Sequence, residues 1–331
     1  MDRSGFSQSP LRNLPCDADG VPVREGTRTT AGLALPQTGL MSDHVVRVDG
    51  LRKTYRGGFE ALRGVSFDIG RGETFALLGP NGAGKSTVIE ILEGYRDRTS
   101  GEAEVLGVDP HRGGLAWKAR LGIVLQNTGE APTATVRELL AHFASFYPRS
   151  RDVEETIAAV GLTEKAKVSV RKLSGGQRRR VDVALGIIGR PELLFLDEPT
   201  TGFDPEVRRQ FWDLIRDLQR DGTSILLTTH YLDEAAELAE RAAILVGGQV
   251  ASVGPIDELG GPDARVPLVR WREGGEVREQ RTQDPGGVVA ALHARLGEPD
   301  RLEVVRPSLE DVYLSFLGDE ARRTTAAGGV A

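Results

Sequence analysis

Short runs of apolar residues recur along the chain with the length expected of buried strands. They lie at residues 74–78, 121–125, 193–196 and 224–227, and each run is followed by a polar residue or a glycine. Apolar residues at helical spacing come after the first run, at 88–92. Strands that alternate with helices predict an α/β fold built on a parallel sheet.

Strict alternation of apolar and polar positions indicates a second kind of strand. Residues 45–48 and 65–69 alternate in this way and predict two half-buried antiparallel strands. The glycine pair at 247–248 separates two apolar runs and predicts a hairpin. Thr135 and Glu138 have the spacing of a capping box, which predicts where a long helical region begins.

The two ends of the chain differ from the middle. Residues 1–40 are rich in small and polar residues without periodicity, which predicts a disordered tail or a start codon assigned too early. Glycine and proline at 260–262 predict a domain boundary. We therefore expect a main domain at 41–260, a small α+β accessory domain without evident catalytic residues at 261–318, and a disordered tail at 319–331.

Composition narrows the possible functions. A net charge of −6 over 331 residues argues against nucleic-acid binding as the main function. The single cysteine, Cys16, excludes an intramolecular disulfide and a cysteine-ligated metal site, and it suits a reducing cytosol. No apolar run approaches the roughly 18 to 20 residues of a membrane-spanning helix, and the N-terminus lacks the apolar segment of a secretory signal.

A glycine-rich loop stands between the strand at 74–78 and the helix that follows. Residues 79–87 read Gly-Pro-Asn-Gly-Ala-Gly-Lys-Ser-Thr, a complete P-loop pattern in the strand–loop–helix context that the motif needs. The glycines allow backbone amides and the helix N-terminus to converge on a polyphosphate. We expect Lys85 to reach the β- and γ-phosphates and the Ser86 hydroxyl to bind Mg²⁺.

Two further segments carry chemistry. Residues 173–177 read Leu-Ser-Gly-Gly-Gln and open a helix, so Ser174 and its glycines form a second potential anion site. Asp197 and Glu198 end a buried strand, where α/β proteins bind ligands. The arginines at 178–180 are predicted to point away from the apolar face of their helix, as a solvated or ion-paired surface.

Three other residues are ambiguous when taken alone. Gln126 and His230 each follow a strand, where a polar residue commonly leaves the sheet. Tyr55 has the features of a packing or strand-edge aromatic residue. Their place relative to the P-loop gives them a second interpretation, which depends on a family resemblance.

Taken in order, these motifs resemble the ATP-binding subunit of ABC transporters over about residues 44–258. The Ser-Gly-Gly-Gln signature separates this family from the kinases, GTPases and helicases that share a P-loop. Near the C-terminus, residues 307–313 resemble the drug-resistance, daunorubicin-exporter-like group. Phe203 departs from the pattern, since leucine is more usual there. The resemblance implies a P-loop core with an antiparallel β subdomain and a helical subdomain at about 127–184.

The resemblance also implies a role for each motif residue. Glu198 would be the base that activates water and Lys85 would hold phosphate, while His230 would contact the γ-phosphate and Gln126 the metal or the attacking water. Mg²⁺ would be bound by Ser86, Gln126 and Asp197. The implied ATP-binding residues are Tyr55, Gly79, Pro80, Asn81, Gly82, Ala83, Gly84, Lys85, Ser86, Thr87, Ser174, Gly175, Gly176 and Gln177.

In the family, the signature completes the ATP site of a second copy, so the resemblance implies a homodimer with two competent sites. It also implies an efflux-type ATPase that works with a separate membrane permease at the cytoplasmic face of the membrane. The competing hypothesis is a soluble ABC ATPase that acts on nucleic acid or ribosomes. One P-loop, a helical insertion of ordinary length and acidic net charge favour the transporter.

Overall fold

The computed structural model describes residues 43–125 and 131–327. The tail predicted at 1–40 therefore lies outside the described residues, and so does Gln126. Within the part of the chain that the structure describes, every helix is too short or too polar to cross a lipid bilayer.

A six-stranded sheet forms the centre of the molecule, in the order β5-β6-β7-β3-β8-β9. Its first five strands are parallel, and β9 pairs with β8 as the predicted antiparallel hairpin. All residues of β3 and β7 are buried, as expected of a parallel sheet covered on both faces. The strands are β3 (Thr74–Leu78), β5 (Leu121–Val124), β6 (Leu193–Asp197), β7 (Ser224–Thr228), β8 (Arg241–Val246) and β9 (Gln249–Pro255).

Alternate side chains of these strands enter different cores. Phe75 and Phe195 pack in a cluster with helix α1 (Lys85–Leu92). Leu194 and Leu196 pack in a cluster that also contains apolar residues of the helical segment. The sheet is packed on both faces, and the carboxyl ends of its parallel strands β3, β6 and β7 meet at one edge.

A three-stranded antiparallel sheet, ordered β2-β1-β4, packs on the α1 side. The two predicted antiparallel strands are confirmed and are longer than predicted, because β1 continues past Gly50 through register shifts. The third strand was not predicted, since only Ala103 and Val105 of its residues are buried. The strands are β1 (His44–Thr54), β2 (Glu60–Gly70) and β4 (Ser100–Val105).

The region after β5 is helical, as predicted, but it consists of separate short helices. Thr135 forms the predicted capping box with Glu138, and Asp204 caps the helix that opens with Pro205. Helix α2 (Leu115–Lys118) precedes β5, and the helices that follow β5 are α3 (Val136–Ala144), α4 (Val153–Ala159), α5 (Gly175–Ile187), α6 (Pro205–Arg220) and α7 (Leu232–Leu238).

The C-terminal segment contains a small sheet, ordered β11-β10-β12, whose buried core is limited to Val269, Trp271 and Leu292. The last helix leaves this sheet and packs against Leu78 and Ile244 of the central sheet. It continues past residue 318, where the sequence predicts a disordered tail, because alanine, glutamate and arginine favour helix. The elements are β10 (Leu268–Glu273), β11 (Glu276–Arg281), α8 (Pro285–Leu296), β12 (Asp300–Val305) and α9 (Leu309–Ala327).

Candidate active site

The P-loop joins β3 to α1 through glycines with positive φ. The φ angles are 155° at Gly79, 81° at Gly82 and 104° at Gly84. A Cβ atom on Gly79 would lie 2.3 Å from the carbonyl oxygen of Leu245, and one on Gly84 would lie 2.7 Å from Cδ2 of Leu62. Any larger residue at Gly79 or Gly84 would clash with a neighbouring residue and would also be strained by the positive φ.

The N-terminus of α1 has no side-chain cap and no acidic residue in its first turn. Its first amides consequently have no side-chain acceptor, and they lie at the positive end of the helix dipole. Asn81, Gly82 and Ser86 are exposed around this end, Pro80 is half-buried and Ala83 is buried. The arrangement suits a phosphate group.

The Lys85 side chain is buried beneath the loop. Its Nζ donates hydrogen bonds to the carbonyl oxygens of Gly79 at 2.6 Å and Pro80 at 3.1 Å. Burial lowers the pKa of Lys85, while the carboxylates of Glu198 and Asp197 oppose this effect. The amine thus lies in the same electrostatic environment as the carboxylates at the end of β6.

Tyr55 lies beside the P-loop helix. Its hydroxyl is 3.1 Å from the Thr87 hydroxyl. The Arg96 Cζ atom and the Lys53 Nζ atom are 5.1 Å and 5.4 Å from the centre of the Tyr55 ring. The ring therefore already takes part in cation–π contacts.

Asp197 ends β6 and is anchored to the neighbouring strand. The Thr228 hydroxyl, at the end of β7, donates a hydrogen bond to the Asp197 carboxylate. Thr228 is fully buried, so this carboxylate is held from inside the sheet. No sequence pattern predicts this contact, because the two residues are distant in the chain.

Glu198 has an unusual backbone conformation for a residue other than glycine, with a φ of 47°. Its amide donates to the Thr228 carbonyl oxygen at 3.0 Å. The side chain is 13% exposed, and its Oε2 atom is 3.5 Å from Nδ1 of His230. Residues in this region of φ/ψ space are often found at functional sites.

The signature turn caps α5. Ser174 Oγ accepts a hydrogen bond from the Gln177 amide, and the Gln177 side-chain oxygen accepts one from the Ser174 amide. Gly175 is exposed, and a Cβ atom at Gly176 would be 3.8 Å from the Gly202 carbonyl oxygen. Among the described residues, no hydrogen bond joins this turn to the P-loop.

Arg179 is buried, which corrects the prediction that the arginines at 178–180 form a solvated surface. Only 8% of Arg179 is exposed, whereas Arg178 is exposed and Arg180 is half-buried. The buried residues Val183 and Ile187 follow it at intervals of four, so the helical period contained a signal for its burial.

Glu93, at the end of α1, is a buried carboxyl group that sequence reasoning missed. Burial, together with the charges of Asp197 and Glu90, raises its pKa from 4.5 to about 8. Its Oε1 atom has no hydrogen-bond partner among the described residues. The group is therefore mostly neutral in the folded protein near neutral pH.

The structure thus brings together Lys85, Asp197, Glu198 and His230 at one edge of the sheet, with the P-loop amides and Ser86 nearby. Among the described residues, no hydrogen bond joins the signature residues to this group. The placement predicted for Gln126 lies outside the described residues.

Comparison with known proteins identifies the family. A model described as ABC transporter matches residues 62–201. The daunorubicin resistance ATP-binding protein DrrA3 of Streptomyces coeruleorubidus is 35% identical over 87% of this chain and 100% of its own length. The Nod factor export ATP-binding protein I of Rhizobium leguminosarum bv. viciae is 37% identical over 86% of this chain and 99% of its own. These relatives confirm the resemblance to drug-resistance ATPases.

Solved structures agree with the fold. The ATP-binding cassette MJ0796, in a dimeric post-hydrolysis state bound to ADP and Pi, has a TM-score of 0.58 and 25% identity over 63% of this chain and 98% of its own. The protein cbiO1 of Clostridium perfringens has the same score and identity over 77% of this chain and 96% of its own. The predicted fold class is confirmed. The chain therefore belongs to the ABC transporter family and is an ATP-binding cassette ATPase.

Proposed function

We propose that this ATPase is the energy-providing subunit of an export-type ABC transporter and that it works with a separate membrane permease. The observation that carries the proposal is the set Lys85, Asp197, Glu198 and His230 at one sheet edge, accompanied by a signature turn whose Ser174 and Gly175 are exposed. The name of the Nod factor export protein supports export as the direction of transport, and the name of DrrA3 supports a link to drug resistance.

The P-loop would bind the phosphates of ATP. Its uncapped helix N-terminus supplies amide donors, and Lys85 would exchange its bonds to the Gly79 and Pro80 carbonyls for phosphate oxygens. The Tyr55 ring would stack on the adenine. The adenine would either share this ring with the side-chain cations of Lys53 and Arg96 or displace them from it.

The donors near the phosphate site fit a magnesium ion. Ser86 and Asp197 offer oxygen atoms, with Gln126 as the third protein ligand, and Mg²⁺ prefers oxygen donors with phosphate oxygens and water completing its shell. Among the described residues, no group of three or more His, Cys, Asp or Glu side chains forms a metal site by itself. When bound, the ion would neutralise charge on the β- and γ-phosphates.

Glu198 would position the attacking water and hold its proton on a carboxylate oxygen. Its bonds to Thr228 fix the backbone, and the small exposed fraction of its side chain limits competing water. His230 lies next to it and would contact the γ-phosphate. Phosphoryl transfer depends mainly on positioning and charge neutralisation, which these residues supply.

Two copies would form the working unit. Ser174, Gly175, Gly176 and Gln177 would complete the ATP site of a second copy, which agrees with the lack of any hydrogen bond between them and their own P-loop among the described residues. A homodimer of this kind would close on ATP and open after hydrolysis. The dimeric state of MJ0796 supports the proposal.

The membrane component would be a separate permease, and this chain would bind it as a peripheral subunit at the cytoplasmic face. The helical segment at about 127–184 would contact the permease and transmit dimer closure.

Copurification tests the transporter assignment. The tagged full-length chain is extracted from native membranes in mild detergent, and copurifying proteins are identified by mass spectrometry, with untagged cells as the control. We expect a stoichiometric protein with several membrane spans. Recovery only with ribosomes or nucleic acid, in the fraction without membranes, would contradict the transporter assignment and leave the ATPase chemistry intact.

A further inference from the structure

Arg179 donates hydrogen bonds to the backbone of two separate segments. Its Nε atom donates to the Pro199 carbonyl oxygen at 3.1 Å, and Nη2 donates to those of Asp197 at 2.6 Å and Glu198 at 3.1 Å. Its Nη1 atom donates to the carbonyl oxygen of Leu125. One buried side chain therefore contacts four backbone carbonyl groups.

Arginine is suited to this position for a physical reason. Its planar guanidinium presents five donors in a fixed fork, whereas a lysine presents a single point charge. Burial lowers the pKa of Arg179, and the carboxylates of Asp182 and Asp197 oppose this effect, so the side chain stays charged. Charge-assisted bonds to backbone oxygens offset the cost of burying it.

The segments joined by Arg179 belong to different parts of the proposed machine. Residues 197–199 include the carboxylates next to Lys85, and Leu125 directly precedes Gln126. Arg179 itself lies on α5, which begins at the signature cap Ser174. An α-helix is rigid over such a distance, about 1.5 Å for each residue, so displacement of one end is transmitted to the other.

We infer that Arg179 is a positioning residue that couples the two ATP sites of a dimer. It holds Glu198, which serves the site of its own chain, in fixed relation to the signature turn, which serves the site of the partner. The inference rests on the proposed dimer and goes beyond it. Arg179 acts through the backbone carbonyl groups that it binds.

The test uses the full-length chain with Glu198→Gln, which we expect to form a stable dimer with ATP. Dimer formation is measured by light scattering after gel filtration, and binding of a fluorescent ATP analogue is measured separately. Adding Arg179→Gln should raise the ATP concentration needed for dimerisation about tenfold or more, since bonds of a charged donor are lost. Nucleotide binding by the monomer should stay within about threefold, because the P-loop is unchanged.

Two further variants make the test specific. Arg179→Lys keeps the charge but not the fork, so it should give an intermediate shift. Arg220→Gln makes the same chemical change at an exposed arginine at the end of α6 and should leave dimerisation unchanged. With Glu198 intact, Arg179→Gln should lower kcat, raise the KM for ATP in parallel with the ATP concentration needed for dimerisation, and bring the Hill coefficient for ATP towards one.

The outcomes separate the inference from the proposal on which it rests. An Arg179→Gln variant that dimerises like its parent would overturn the inference alone. Loss of nucleotide binding together with dimerisation, in both Arg179 variants, would assign this residue to the fold and overturn the inference as well. Failure of the Glu198→Gln parent to dimerise would refute the proposed dimer itself.

Discussion

Glu198 joins an uncommon backbone conformation to a catalytic assignment. A positive φ costs a residue other than glycine about 1 kcal/mol or more, and the bonds from Arg179 and to Thr228 hold the residue there. These hydrogen bonds fix the backbone amide and carbonyl groups of Glu198, and so they fix the point from which its carboxylate extends. A side chain placed in this way suits proton transfer, which requires a fixed distance to water.

Replacing Glu198 by glutamine should lower steady-state ATP hydrolysis by at least about 100-fold, because glutamine has nearly the same shape but cannot accept the proton of the attacking water. ATP binding should be retained, since Lys85 and the P-loop are unchanged. Phosphate release and nucleotide binding are measured in parallel, with the exposed Glu164→Gln as control. Substantial turnover by Glu198→Gln would refute the assigned base.

Glu93 should make stability depend on pH. Its folded pKa of about 8 is above the ordinary value of 4.5, so the folded state binds the extra proton between these values. Stability linked to that proton is present at low pH and is lost as pH rises through about 8. Glu93→Gln cannot ionise. The free energy of unfolding of Glu93→Gln, minus that of the wild type, should therefore increase by on the order of 2 to 4 kcal/mol as pH rises from about 5 to 9.

Chemical denaturation of both proteins at several pH values measures this difference. The Glu164→Gln variant, at an exposed carboxylate that is not among the groups raising the pKa of Glu93, controls for the loss of a charge. Parallel pH profiles for wild type and Glu93→Gln would show that the buried carboxyl group does not titrate as described.

Among the elements, α9 connects the C-terminal segment to the ATPase core. Leu309 is 5% exposed and belongs to the cluster of Leu78 and Ile244, whereas Leu292 belongs to the small separate core beneath α8. Leu309→Ala should cost about 2 to 5 kcal/mol and lower the temperature at which ATP binding is lost. Leu292→Ala, an equal truncation, should leave that temperature unchanged.

Thermal scans that follow ATP-analogue fluorescence and circular dichroism together check this difference between the two leucines. A drop in the ATP-binding midpoint with Leu292→Ala, and none with Leu309→Ala, would mean that the ATPase core depends on the small sheet rather than on α9.

Elements with a strong pattern were predictable, and elements held by context were not. The buried strands and the caps at Thr135 and Asp204 follow from local residue choice. Strand β11 was missed because all its residues are exposed and most are charged, so it has no apolar period. It forms because β10 supplies its hydrogen-bonding partners.

For the whole molecule, the motifs placed the P-loop and the carboxylates correctly at one edge of the sheet. Contacts distant in the chain were beyond sequence reasoning, such as the Thr228 hydroxyl on Asp197 and the guanidinium of Arg179 on carbonyl groups. Such contacts use residue types that also occur on ordinary surfaces. Only the three-dimensional surroundings of such a residue show whether it makes a buried contact or lies on the surface.

The separation of the signature turn from the P-loop has a genetic meaning if two copies assemble as proposed. A Lys85 allele damages the site on its own chain, while a Ser174 allele damages the site of its partner. In a mixed dimer of the two, both lesions fall in one site, and the other site contains only intact residues. Two alleles that are each inactive alone would therefore complement each other within one cell.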